Sequence, residues 1–89
     1  MPAIAFRVTG TVQGVAFRKY TQRFATKKGL VGHVQNEPDG SVVGTAEGTS
    51  EQIEALIAYL HKGSPKAVVK EVTTTPIEPL NLTTFEIRK

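Results

Sequence analysis

The sequence predicts an α+β fold of the split βαβ kind, with two helices on one face of a mostly antiparallel sheet. Three observations carry this. Strand-like runs alternate with two amphipathic stretches of 3.6-residue period, and glycines and prolines punctuate the junctions. The length of 89 residues leaves room for one core, since two halves of roughly 45 residues would each fall below what folds without staples. Residues 1–89 therefore read as a single domain.

The elements follow in order. Ile4, Phe6 and Val8 alternate with Ala5, Arg7 and Thr9, the period of a strand with one apolar face, and Gly10 is expected to end it. Gly10-Thr11-Val12-Gln13-Gly14 has two glycines and no helical period, so it reads as a tightly bent loop. A helix then opens at Ala16, with Phe17, Tyr20, Phe24 and Ala25 on its apolar face and Gly29 as the terminating glycine. Leu30 to Asn36 and Ser41 to Gly48 read as strands joined through the Glu37-Pro38-Asp39-Gly40 turn. Thr49 and Gln52 form a capping box for a second helix, whose stripe is Ile53, Leu56, Ile57 and Leu60 and whose end is Gly63. Ala67 to Thr75 and Leu82 to Arg88 read as the fourth and fifth strands, with Pro76 and Pro79 between them. The order is thus βαββαβ plus a C-terminal strand, a ferredoxin-like sandwich.

Composition narrows the chemistry. With no cysteine, the chain has no disulfide, thiolate metal site or thiol nucleophile, and it suits a reducing compartment. A net charge of +3 is too small and too scattered to mark a nucleic-acid binder, and no apolar run approaches the length of a membrane span. No secretory leader is apparent at Met-Pro-Ala-Ile-Ala-Phe-Arg. The expected protein is a cytoplasmic monomer that binds neither nucleic acid nor membrane.

One feature breaks the usual rules. Helix N-termini favour acids and disfavour cations by about 0.3–1 kcal/mol each, yet the first helix opens Ala16-Phe17-Arg18-Lys19 and contains no acid. Taken singly, Arg18 and Lys19 are ordinary surface charges and Gly10 and Gly14 ordinary turn glycines. Together they place loop amides, a helix N-terminus and a guanidinium at one point, an arrangement suited to a phosphate group. The spacing matches neither G-x-x-x-x-G-K-[ST] nor G-x-G-x-x-G, which argues against a nucleotide.

Gly10-Thr11-Val12-Gln13-Gly14-Val15-Ala16-Phe17-Arg18 resembles the G-x-V-Q-G-V-x-F-R signature of the acylphosphatases. Gly32-His33-Val34-Gln35-Asn36 with Asp39-Gly40 resembles that family's second block, G-W-V-x-N-x-x-D-G, with His33 where Trp is usual. The similarity continues to Phe85-x-Ile87-Arg88 and covers nearly the whole chain. It implies hydrolysis of the carboxyl–phosphate bond of small acyl phosphates, with inorganic phosphate as product and inhibitor. By the same resemblance, Arg18 is the phosphate-binding arginine and Asn36 the residue that orients the attacking water. The backbone amides of Thr11, Val12, Gln13, Gly14, Val15, Ala16 and Phe17 form the cradle. No metal or cofactor is implied, because a carboxylate leaves without a general acid and phosphoryl transfer rests on positioning and electrostatics.

The remaining polar residues read as peripheral. Asn36 alone would be a turn asparagine, and Asp39 is a turn residue. His33 and His61 lie on different elements with no acidic partner at useful spacing, and Glu51 and Glu54 occupy a polar helix face. An RNA-binding sheet is disfavoured, since Phe6 shares the phase of Ile4 and Val8 and Ser41 to Gly48 has no aromatic residue. If the last strand runs toward the first loop, the terminal carboxylate of Lys89 is the expected partner of Arg18 when no phosphate is bound.

Overall fold

The computed structural model describes residues 2–88. The elements are β1 (Ala3–Thr11), α1 (Phe17–Lys27), β2 (Val31–Asn36), β3 (Val42–Glu47), α2 (Ser50–Lys62), β4 (Val68–Pro76) and β5 (Phe85–Arg88). They build one sheet in the order β4-β1-β3-β2-β5, antiparallel except for the parallel β2–β5 pair. This is the expected ferredoxin-like topology, extended at one edge by β5.

Alternation along the strands sends Phe6, Val8, Val34, Val42 and Ala46 to the helix side, where they meet Phe17, Ala25, Ile53, Leu56 and Leu60 in the core. The two helices meet through stacked rings of Phe24 and Tyr59, whose centroids lie 4.4 Å apart. Tyr20 and Phe24, expected in the seam of α1, are only half-buried. The fully buried seam is Phe17, Thr21 and Ala25, one residue per turn.

β1 does not stop at Gly10. It continues to Thr11 along β4, through a register shift between Thr9 and Gly10. Gly10 has φ +121°, and a Cβ there would run into the backbone of Val68 and Lys70, so only glycine suits the bulge. The extension carries the chain to the sheet's end before it turns, which places the following loop above the β2–β3 end of the sheet. The expected fifth strand, by contrast, is shorter, starting at Phe85 and not at Leu82.

The crossover from β4 to β5 is tied to the sheet by a buried acid. Glu47, at the end of β3, is 3% exposed and accepts backbone hydrogen bonds from Leu80 (2.7 Å), Asn81 (3.2 Å) and Leu82 (3.3 Å). A buried carboxylate is tolerable only when it is paired in this way. The crossover then delivers β5 beside β2, with Phe85 opposite Gly32 and Arg88 opposite Gln35.

Candidate functional site

The N-terminus of α1 is built differently from ordinary helix starts. Its cap residue, Ala16, lies in the left-handed region at φ 58°, ψ 23° and gives no side-chain capping hydrogen bond, and the first turn has no acid. That conformation costs an L-residue roughly 1–2 kcal/mol. It is held by burial on the far side of the turn, since Phe17 is 1% exposed and contributes about 1.5–3 kcal/mol on leaving water. The first helical hydrogen bond runs from Tyr20 N to Ala16 O at 3.0 Å, so the amides of Phe17, Arg18 and Lys19 have no helical carbonyl to bond.

The loop ahead of α1 is anchored on both flanks. Val12 is buried, and Ser64 Oγ, just past the end of α2, donates to Val15 O at 2.7 Å. Gln13 reaches the β2–β3 turn on the other flank, its Nε2 donating to Glu37 O at 2.7 Å and Ser41 O at 2.9 Å. Gly14 has φ +74°, and the space where a Cβ would project is open. Short of bulk on that side, the backbone lies bare to the cavity.

Asn36 enters from the end of β2. It pairs with Val42, which pairs with Val8, so its side chain falls in the helix-side row of the sheet. Its Oδ1 is buried and has no hydrogen-bond partner among the described residues. Such an orphaned acceptor is costly unless a ligand or water meets it.

Arg18 comes from the first turn of α1. Its Nη1 donates to Arg88 O at 3.1 Å, and one turn on, Gln22 Nε2 donates to Phe85 O at 3.1 Å. The i, i+4 pair thus fastens α1 to β5 and aims the guanidinium along the strand end. Arg18 is therefore anchored on a backbone carbonyl of Arg88; the pairing expected with the carboxylate of Lys89 lies outside the described residues.

These pieces enclose a cavity of about 210 Å³ lined by Val12, Gly14, Ala16, Phe17, Arg18, Lys19, Asn36 and Ile87. Two cations and no acid face it. Of the residues expected at the site, Arg18, Asn36, Val12, Gly14, Ala16 and Phe17 come together on its wall. Thr11 is engaged in the β1–β4 ladder, while Gln13 and Val15 brace the loop from its flanks. Ile87 was legible only as a strand residue; its place here follows from the parallel pairing of β5, which places it opposite Val34.

His33 lies across the sheet from this cavity, half-buried, with Nδ1 3.0 Å from Thr45 Oγ1. Burial and, to a smaller extent, Arg88 push its imidazole below the ordinary value, with Glu86 opposing. Asp39 is held below the usual carboxylate range by hydrogen bonds from the Ser41 side chain and backbone, with Arg7 adding to the effect. Among the described residues no group of three or more His, Asp or Glu side chains is placed to hold a metal ion, and no helix is long and apolar enough to cross a membrane.

Comparison with known proteins agrees with the geometry. The acylphosphatase family model matches residues 4–87. The chain is 43% identical over 82 residues to an acylphosphatase of Trichormus variabilis, spanning 92% of this chain and 81% of that protein. An acylphosphatase of Xanthomonas oryzae pv. oryzae is 47% identical over 76 residues, or 85% and 86% of the two chains. The crystal structure of acylphosphatase from Bacillus subtilis superposes with a TM-score of 0.97 at 32% identity, covering all of both chains. With the family model spanning residues 4–87, relatives above 40% identity over most of both chains and the whole topology shared, the chain belongs to the acylphosphatase family, hydrolases acting on acid anhydrides.

Proposed function

We propose that the cavity between the α1 N-terminus and the end of β2 hydrolyses acyl phosphates by direct attack of water on phosphorus. The observation that carries this reading is the meeting of Arg18 with the buried Oδ1 of Asn36, unpartnered among the described residues, on one cavity wall. The guanidinium holds two phosphoryl oxygens in its planar fork, and the free amides at the start of α1 take the developing charge. Asn36 Oδ1 accepts a hydrogen bond from the attacking water and fixes its line of approach.

An amide oxygen is too weak a base to take the proton. The water oxygen forms its bond to phosphorus as the bond from phosphorus to the acyl oxygen breaks, and the carboxylate leaves with the electron pair. The water's proton passes to a phosphoryl oxygen, giving a carboxylate and inorganic phosphate, which then competes for the same cradle.

Benzoyl phosphate in the presence of EDTA, followed by absorbance, tests the reading. The parent protein turns over, and Arg18→Ala and Asn36→Ala each lose about a hundred-fold or more in kcat/KM. Parent-like rates in either variant, or turnover abolished by the chelator, would contradict it.

A further inference from the structure

The side chain of Gln13 has a role distinct from that of its backbone amide. Two segments far apart in sequence must be held in register for the proposed attack: the loop before α1, which meets the phosphate, and Asn36, which meets the water. Gln13 Nε2 spans them, donating to Glu37 O at 2.7 Å and Ser41 O at 2.9 Å. Glu37 directly follows Asn36.

Both segments are already closed without it. The turn has its own hydrogen bonds, Glu37 N to Ser41 O at 2.8 Å and Gly40 N to Glu37 O at 3.1 Å, with Asp39 Oδ1 accepting from Ser41 N at 2.9 Å. The loop is anchored by buried Val12 and by the bond from Ser64 to Val15 O at 2.7 Å. What neither set of contacts fixes is the distance between loop and turn. The carboxamide does, by using both its protons on the free lone pairs of two turn carbonyls.

We infer that Gln13 is a positioning residue, setting the water held by Asn36 against the phosphate held by the loop. The inference rests on the proposed function. Misplacement of reacting groups by about 1 Å can cost on the order of a hundred-fold in rate, while binding of the phosphate by the loop alone is little affected. The signature is therefore a fall in kcat with the inhibition constant of inorganic phosphate preserved.

Two variants test it. Gln13→Ala is expected to lower kcat on benzoyl phosphate about tenfold and to leave phosphate inhibition within about twofold of the parent. Gln13→Glu places a carboxylate against two carbonyl oxygens at neutral pH and lowers kcat further. On acidification it gains an O–H that can donate to one of them, so its kcat relative to the parent rises as pH falls through the carboxyl titration. A purely structural role would not produce that recovery within one folded variant. The inference is overturned if Gln13→Ala keeps kcat within about twofold of the parent, if kcat and phosphate affinity fall together, or if Gln13→Glu follows the parent's pH profile. A parent enzyme indifferent to Asn36→Ala overturns the proposed function itself, so the two failures are distinguishable.

Discussion

The two helices of this domain begin in opposite ways, and the positions can be matched one to one. In α2, Thr49 caps the helix, Glu51 stands two residues in, and Gln52 completes a reciprocal box with Thr49, at 2.8 and 3.2 Å. The side-chain Nε2 of the same Gln52 donates to Lys28 O at 2.7 Å, closing the end of α1. In α1, the cap is a strained Ala16 with no side-chain bond, Arg18 stands where α2 has Glu51, and Lys19 where α2 has Gln52. One N-terminus closes two of its amides with side chains, and the other gives none of its amides a side-chain cap and stands beside two cations. On the proposed function, the difference separates a helix end that serves stability from one kept for an anion.

The largest effect comes from making α1 resemble α2. Arg18→Glu puts an acid at the matched position and removes the phosphate fork, and kcat/KM on benzoyl phosphate should fall on the order of a thousand-fold while the circular dichroism spectrum is retained. Damaging the other end gives the converse. Thr49→Ala should cost about 1 kcal/mol in a urea titration, by loss of the cap, with kcat/KM unchanged.

The smallest effect concerns strain. Ala16→Gly relieves the left-handed conformation, but it also adds freedom to the unfolded chain, so the net gain in stability should be only about 0.5 kcal/mol. Because the cradle is then less rigid, phosphate inhibition should weaken by a few-fold, read from initial rates. A loss of stability instead would show that the Ala16 conformation is not strained.

Much of this was legible in the sequence because it is local. The capping box at Thr49, the stripe of α2, the Asp-Gly turn and the cation-bearing start of α1 depend on residues within one or two turns of each other, and the structure places them as the spacing implies. What could not be read is decided by distant pairing. Thr21 is fully buried because α1 sets its Phe17, Thr21 and Ala25 face against β2 and β5, although its hydroxyl marks it as polar. Glu47 is buried because amides from 33 to 35 residues away close on its carboxylate. The site divides in the same way. Arg18 and Asn36 stand out by motif, whereas the anchor on Arg88 O, the wall at Ile87 and the reach of Gln13 arise only when β5 and the β2–β3 turn are folded against the loop.

The central claim is that water poised by Asn36 attacks the phosphorus held by Arg18. It is tested most directly by hydrolysing benzoyl phosphate in ¹⁸O-labelled water and locating the label by mass spectrometry. The account predicts one labelled oxygen in inorganic phosphate and none in benzoate. Label in benzoate would mean attack at the carbonyl carbon and would contradict it.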